Sequence, residues 1–450
     1  MTGPRGGARG GARRRPQRER DPGAAGTVVR VRVGAVAHGG HCVARHEGRV
    51  VFVRHALPGE LVDVRLTQAG DGDRFWRGDA VAVLEPSPDR VEPRCPVARP
   101  GGCGGCDWQH VSLPGQRRLK ADVVLEQLRR LGGVEPGDLT VEAVPGDDEG
   151  LNWRTRVRFA VDASGRAGLR RHRSHDVVHI ETCPIADPEV DAVGVPTRRW
   201  PGTAAVEVVA ARAGGEVERL VVVEPGDGGP PRVPTLAAPA SLATRTEAGV
   251  ERVRGRGWVR EEVLVDGTPR SFRVSGAGFW QVHPGAAQAL LDAVLDAAAP
   301  RPGERTLDLY CGVGLFAAGL ATRVGSEGSV LGVEGEARAV ADARRNLHDL
   351  PWVRLEHGAV ETVLAGDGAV PGADVVVLDP PRTGAGRAVV EAVLALRPRV
   401  VVYVACDPAA LARDVAFAAV GGYRLAGLRA FDLFPMTQHV ECVATLAPAL

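Results

Sequence analysis

The rhythm of hydrophobic and polar positions changes along the chain. From 25 to 86, apolar residues alternate with charged ones in short runs. These are Val28 to Val33, His41 to Ala44, Arg49 to Val53, Glu60 to Leu66 and Trp76 to Leu84, separated by Gly, Pro and charged turns. Period-two alternation predicts strands, and short strands at this spacing predict a small β-barrel. Residues 116–133 instead have helical spacing and stop at Gly132-Gly133. From 151 to 274 the alternation is weak and broken by Pro/Gly-rich loops near 196–202 and 224–234. This predicts a mixed, mostly β central domain over 87–274, with a helical segment at 111–150 that packs on the domain after it. From 275 to 450 strand-like and helix-like runs alternate, the α/β pattern of a doubly wound parallel sheet.

The chemistry gathers at strand ends in this last region. Leu307-Asp308-Leu309-Tyr310-Cys311-Gly312-Val313-Gly314-Leu315-Phe316 reads as a strand, a glycine turn and the start of a helix. Such glycines let backbone amides approach a ligand beside a helix N-terminus. Ser329 to Glu334 reads as a second strand ending in an acid, at the spacing where a carboxylate accepts ribose hydroxyls. A dinucleotide or S-adenosylmethionine would suit this unit. Position 317 is Ala rather than the third glycine of the dinucleotide fingerprint, which favours S-adenosylmethionine, a ligand without a pyrophosphate. A third strand, Ala373 to Leu378, ends in Asp379-Pro380-Pro381-Arg382. A fourth, Val400 to Ala405, delivers Cys406 to a C-terminal strand edge and is stopped by Asp407-Pro408.

The ordered set Phe279-Trp280-Gln281-Val282, Asp308 to Phe316, Asp379-Pro-Pro-Arg382, Cys406-Asp-Pro and His439-Val440-Glu441 resembles the RNA uracil-C5 methyltransferases, from about residue 25 to 445. The 25–86 barrel resembles a TRAM domain, an OB-like RNA-binding module, through Arg49-Val-Val-Phe-Val53 and Leu57-Pro-Gly-Glu60. The resemblance implies a class I S-adenosylmethionine-dependent fold over 275–450 and methylation of uridine C5, first in 23S rRNA and next in tRNA. Cys406 would be the nucleophile that adds to C6, and Glu441 the base that removes the C5 proton. Gln281, Tyr310, Glu334 and Asp379 would hold S-adenosylmethionine. Leu315 and Ala359 depart from the family pattern, so neither is assigned a contact. The target base must leave its stack to reach Cys406. Phe279 and Trp280 are candidate stacking partners or core residues.

Alternative classes fit less of the chain. An N6-adenine methyltransferase follows Asp-Pro-Pro with an aromatic residue, whereas Arg382 stands here. An RNA cytosine-C5 methyltransferase generally uses two motif cysteines, and only Cys406 has a motif. A non-enzymatic RNA-binding iron–sulfur protein leaves the 275–450 constellation unexplained.

Composition refines this picture. Apolar residues make up 44% of 450, ample for packed cores, and the net charge of +1 excludes a polycation. Lys120 is the single lysine among 56 basic residues, the rest being arginine. Together with abundant Ala, Gly, Val and Pro, this is the mark of a GC-rich genome and warns against reading every arginine as an RNA contact. Residues 1–24 form an Arg/Gly-rich stretch without an apolar core, expected to be a disordered tail and not a secretory signal. No stretch is long and apolar enough for a membrane helix. A cytoplasmic monomer with an RNA partner and no membrane partner is expected.

The eight cysteines then read as metal, catalysis or core. Cys95, Cys103 and Cys106, in Cys-x7-Cys-Gly-Gly-Cys, with Cys183 downstream, suit a [4Fe–4S] cluster or a structural zinc, and spacing alone does not separate them. The family resemblance implies the [4Fe–4S] cluster, although the first gap of seven residues exceeds the family's usual one. Cys311 and Cys442 are expected in packing.

Overall fold

The computed structural model describes residues 23–247, 249–366 and 372–449. The tail expected at 1–24 lies outside the described residues, apart from Gly23 and Ala24. Five strands close a barrel: β1 (Val28–Val36), β2 (Cys42–His46), β3 (Arg49–Arg54), β4 (Leu61–Gln68) and β5 (Trp76–Glu85). Their order is β1-β2-β3-β5-β4, and β4 pairs back to β1. Alternation puts Val31, Val33, Val51, Val53, Val62 and Val64 inside.

Helix α1 (Leu113–Gln127) begins where Ser112 caps it by accepting from the Gly115 amide at 3.2 Å. It runs on through a π-helical turn, Leu128–Gly132, and stops at Gly133, whose φ of 64° is left-handed. Strand β6 (Val141–Ala143) follows.

The central region holds β7 (Arg156–Val161), β8 (Ala167–Arg170), β9 (Val177–Val178), a short α2 (Pro188–Asp191), β10 (Thr203–Ala213), β11 (Glu216–Pro225), β12 (Ser241–Thr246) and β13 (Gly249–Arg254). The strands form one sheet, β13-β12-β11-β10-β7-β8-β9. The hairpin β14 (Trp258–Val265) and β15 (Thr268–Ser275) packs against β10 and against helices of the C-terminal region.

That region contains α3 (Ala286–Ala298), β16 (Arg305–Leu309), α4 (Leu315–Val324), β17 (Ser329–Glu334), α5 (Ala337–Asn346), β18 (Val353–His357), α6 (Val360–Ala365) and β19 (Val375–Leu378). It ends with α7 (Gly386–Ala395), β20 (Val400–Ala405), α8 (Pro408–Val420), β21 (Tyr423–Asp432) and β22 (Glu441–Pro448). The sheet order is β18-β17-β16-β19-β20-β22-β21-β6. Strands β16 to β20 are parallel; β19 and β20 are wholly buried, as their unbroken apolar runs require, whereas β18 is the partly exposed edge strand. The order in which strands are added reverses between β16 and β19, the switch point at which open α/β sheets bind ligands.

The sheet departs from the all-parallel expectation at one edge. Strand β22 inserts antiparallel between β20 and β21. The connecting segment 433–440 is shorter than the dozen or so residues a parallel crossover needs, so β22 must return beside β21. At the far edge β6 pairs parallel with β21, Val141 opposite Ala430, so a segment preceding the central sheet completes this one. No helix among the described residues is long and apolar enough to cross a membrane.

Candidate active site

The glycine turn after β16 has backbone conformations that only small residues meet easily. Gly312 and Gly314 have φ of 55° and 93°, and a Cβ on Gly314 would stand 2.8 Å from Leu347 Cδ1. Glu334, at the end of β17, accepts from the Gly312 amide at 2.9 Å and from the Glu336 amide at 2.8 Å. Tyr310, with φ 66°, enters the turn half-buried, its amide bonded to Val333 O at 2.8 Å.

Asp308 is wholly buried beneath this turn. One carboxylate oxygen accepts from the Ala317 amide at 2.7 Å, and among the described residues the other has no partner. Burial, and then the charges of Asp379 and Glu334, push its carboxyl up to about 8. Asp379, just past β19, is pushed up to about 7 by loss of solvent and by Glu334. Three acids at three adjacent strand ends thus face one another with little solvent. Desolvated carboxylates and an unpartnered buried oxygen fit a ligand carrying a sulfonium and an ammonium, which is the charge pattern of S-adenosylmethionine. Gln281 stands half-buried between β15 and α3 and makes no side-chain hydrogen bond among the described residues.

A second group adjoins the first through Asp379. In the β20–β22 register Ala405 faces Cys442, so the next pair outward is Cys406 and Glu441. Cys406 is half-buried; burial, Glu441 and Asp379 raise its thiol to about 11, while Arg382 pulls the other way. Glu441 is 4% exposed, and burial followed by Asp379 drives its carboxyl well above the usual range, again opposed by Arg382. Arg382 Nη2 lies 3.0 Å from His439 Nε2. Burial and Arg382 hold His439 near 4, so the ring is neutral around pH 7. Asp407 caps α8 by accepting from the Ala410 amide at 2.9 Å.

A cavity of about 170 Å³ opens beside Cys406, bordered by Arg382, Gln438 and His439, and by His38 from the turn between β1 and β2. His38 Nε2 lies 3.0 Å from Asp407 Oδ2. Sequence reasoning missed His38, because nothing in the barrel's pattern points to a residue hundreds of positions away. It also left Asp308 unassigned, although an acid inside an apolar strand was a usable signal. Phe279 is 67% exposed, whereas Trp280 is buried against Phe272, ring centroids 5.5 Å apart. Cys311 and Cys442 are buried in packing.

The cysteines Cys95, Cys103, Cys106 and Cys183 line a separate cavity of about 350 Å³ and form no disulfide. The Gly105 amide donates to Cys103 Sγ at 3.4 Å. Burial and the neighbouring cysteines raise the thiols of Cys106 and Cys183, the latter to about 11. Among the described residues, no three His, Cys, Asp or Glu side chains are grouped closely enough to hold a single ion. Four sulfur donors bordering one cavity, with an amide aimed at one of them, are the donor chemistry of an iron–sulfur cluster or of zinc.

Fold and site together define a class I S-adenosylmethionine-dependent methyltransferase joined to a TRAM barrel. Residues 24–81 match the TRAM domain family and residues 372–448 match the tRNA (uracil-5-)-methyltransferase family. An uncharacterized RNA methyltransferase of Streptomyces coelicolor is 53% identical over 435 residues, covering 94% of this chain and 93% of the relative. One from Bifidobacterium longum is 42% identical over 431 residues, covering 92% and 95%. Among solved structures, the Pyrococcus abyssi tRNA (uracil-54, C5)-methyltransferase in complex with S-adenosyl-L-homocysteine aligns with a TM-score of 0.69 at 25% identity, covering 93% of this chain and 100% of that one. The chain belongs to the RNA uracil-C5 methyltransferase family.

Proposed function

We propose that the protein methylates C5 of a uridine in RNA through a covalent adduct between Cys406 and uracil C6. A uridine of 23S rRNA is the first candidate. A tRNA uridine is the second, favoured by the structural neighbour's activity on uracil 54 of tRNA. The observation that carries the reading is the register of β20 and β22, which sets a thiol opposite a buried carboxyl beside Arg382 and Asp379.

Uracil C5 is a weak nucleophile. Addition of the Cys406 thiolate to C6 pushes electrons to C5 and O4 as an enolate. When bound, S-adenosylmethionine supplies an electrophilic methyl group for that C5. The C5 proton then leaves to Glu441, the C5–C6 double bond re-forms, and the Cys406–C6 bond breaks with return of the thiolate. A base enclosed like Glu441 has its affinity for a proton raised toward the working range. Arg382 favours the Cys406 thiolate by its positive charge. Gln281, Tyr310, Glu334 and Asp379 hold the methyl donor, with Asp308 bracing the turn beneath. Phe279, exposed two residues before Gln281 in the chain, offers a face for an unstacked base.

We further infer that Cys95, Cys103, Cys106 and Cys183 hold a [4Fe–4S] cluster in a structural role, zinc being the alternative. Support comes from their common cavity and the Gly105 amide aimed at Cys103. Methyl transfer needs no electrons, so no step passes through the cluster.

The test is transfer of labelled methyl from S-adenosylmethionine to unmodified rRNA and tRNA, followed by nucleoside analysis. Label in 5-methyluridine supports the reading. Label in 5-methylcytidine or N6-methyladenosine, or no transfer to either RNA, would overturn it.

A further inference from the structure

A third concavity, of about 340 Å³, lies between the barrel and the cysteine-bearing loop. Arg54 and Arg77 border it from the barrel. Arg99 from the cysteine loop, and Arg171 and Arg173 from the turn between β8 and β9, border it from the other side. Asp79 is the only carboxylate among the residues that line it, and it stands 3.9 Å from Arg54. Arg171 has Asp176 at 3.9 Å, whereas among the described residues Arg77, Arg99 and Arg173 have no ion-pair partner. Some arginines elsewhere are closely paired, as Arg90 is with Glu60 at 2.6 Å and Arg399 with Glu304 at 2.7 Å. Five guanidiniums around one cleft repel one another, and a polyanion lying between them removes that cost.

The rings of Phe52, His41 and His172 line the same cleft, and Phe75 flanks Phe52. Phe75 meets Phe52 edge-on at 5.2 Å, Phe52 meets His41 at 6.3 Å, and His41 meets His172 on the opposite wall at 6.4 Å. The Arg77 guanidinium lies 4.6 Å over Phe75. Cations interleaved with half-buried rings match a single-stranded nucleic acid, which offers both phosphates and base faces. An acidic peptide would use only the cations.

The far wall is built by the cysteine loop. The Gly104 amide donates to Arg170 O at 3.1 Å, and Cys103 forms an isolated β-bridge with Arg171. A Cβ on Gly104 would come within 2.6 Å of His172 Cα, so only glycine allows this approach. Arg173, at the tip, has a φ of 51°. The β1–β2 turn connects the two sites: His38 borders the cavity at Cys406 and His41 borders this cleft.

We propose that this cleft is a second RNA site, gripping a single-stranded segment flanking the target uridine, and that the cysteine loop exists to build its far wall. The proposal rests on the reading that RNA is the substrate. The strand's phosphates meet the arginines, its bases stack on the ring row, and the chain passes over the β1–β2 turn into the Cys406 cavity.

The test is fluorescence anisotropy with an end-labelled, unstructured 20-mer of RNA and a duplex of equal length, without methyl donor, across a salt series. R77Q/R173Q should bind the single strand about tenfold more weakly. Its log–log salt slope should be shallower by about 1.4, from two phosphates at about 0.7 each. R77K/R173K should restore most of the slope, which separates charge from misfolding. F52L should weaken binding severalfold with the slope unchanged. Wild-type slope and affinity in R77Q/R173Q would overturn the proposal. So would preference of the wild-type protein for the duplex, or a slope that stays shallow in R77K/R173K. Failure of the activity reading is distinct. Cleft-dependent RNA binding without any 5-methyluridine sinks the activity and leaves the cleft, whereas methylation with cleft-independent binding sinks the cleft alone.

Discussion

Replacing Lys120 should cost the protein both stability and catalytic rate. The residue attracted notice as the only lysine in an arginine-rich chain, on a helix face shared with Gln116. Its ammonium is fully enclosed, 2.5 Å from Asp432 Oδ1 and 3.1 Å from Phe434 O. Burial pulls its pKa down and Asp432 holds it up. One turn earlier, Gln116 donates to Val111 O at 2.9 Å and accepts from the Met436 amide at 2.7 Å. Helix α1 therefore grips the first half of the segment that leads from β21 to Glu441. K120M leaves the Asp432 carboxylate buried without its partner, a loss of about 3–5 kcal/mol. K120R keeps the charge but forces a planar, bulkier head into a filled site, at about 1–3 kcal/mol. The assay is the urea midpoint of the C-terminal sheet followed by hydrogen exchange on β21 and β22, with methylation measured in parallel. Replacing both partners by apolar groups, K120M/D432L, should recover most of the stability lost in K120M, since an apolar pair has no stranded charge. If K120M and K120R both match the wild type in midpoint and rate, the ion pair is incidental and the argument falls.

C406A should bind S-adenosylmethionine but transfer no methyl, and wild-type protein should form a gel-stable adduct with 5-fluorouridine RNA; full activity in C406A would discard the nucleophile. Cys406 alkylation, followed by mass spectrometry of its peptide, should accelerate with pH toward a midpoint near 11. E441Q removes a charge that raises that thiol, so its midpoint should move down; an upward move would contradict the pairing. Anaerobically purified protein should be brown with about four irons per chain, and C103S, C106S or C183S should bleach it; stoichiometric zinc without iron would replace the cluster by the alternative. His38 is raised above 6.5 by its bond to Asp407, while Asp407 lies below 3.8 because that bond and the Ala410 amide outweigh burial. Their contact therefore stabilises barrel docking fully between about pH 3.8 and 6.5, and is lost as pH rises through the raised His38 value or falls through the depressed Asp407 value. An NMR titration of His38 should show its midpoint fall in D407N.

What could be read beforehand follows the range of the forces involved. Barrel strands are local alternations, and they stand close to where Val28, Arg49 and Trp76 begin their runs. Strands β19 and β20 are continuous apolar runs with every residue buried, and β17 carries a shorter one, so their C-terminal ends, and with them Glu334, Asp379 and Cys406, were legible from the residue pattern. Partners are a different matter, because pairing between distant segments leaves no local signature. Strand β6 has only three residues, Val141–Ala143, yet it finds β21 nearly three hundred positions later. The antiparallel entry of β22 depends on the shortness of 433–440, which shows in the sequence only once β21 and β22 are known to share a sheet. That entry turns His439-Val-Glu441 from a motif into a geometry, because the register of Ala405 with Cys442 sets the buried carboxyl opposite the thiol. The same reasoning explains why His38 was invisible. Its significance lies in Asp407, a helix cap in another domain, and only the docking of barrel on sheet brings the two to 3.0 Å. Residues proposed for the chemistry stood out by type and position, whereas His38 and the partners of β6 and β22 emerged only from the packing of one unit against another.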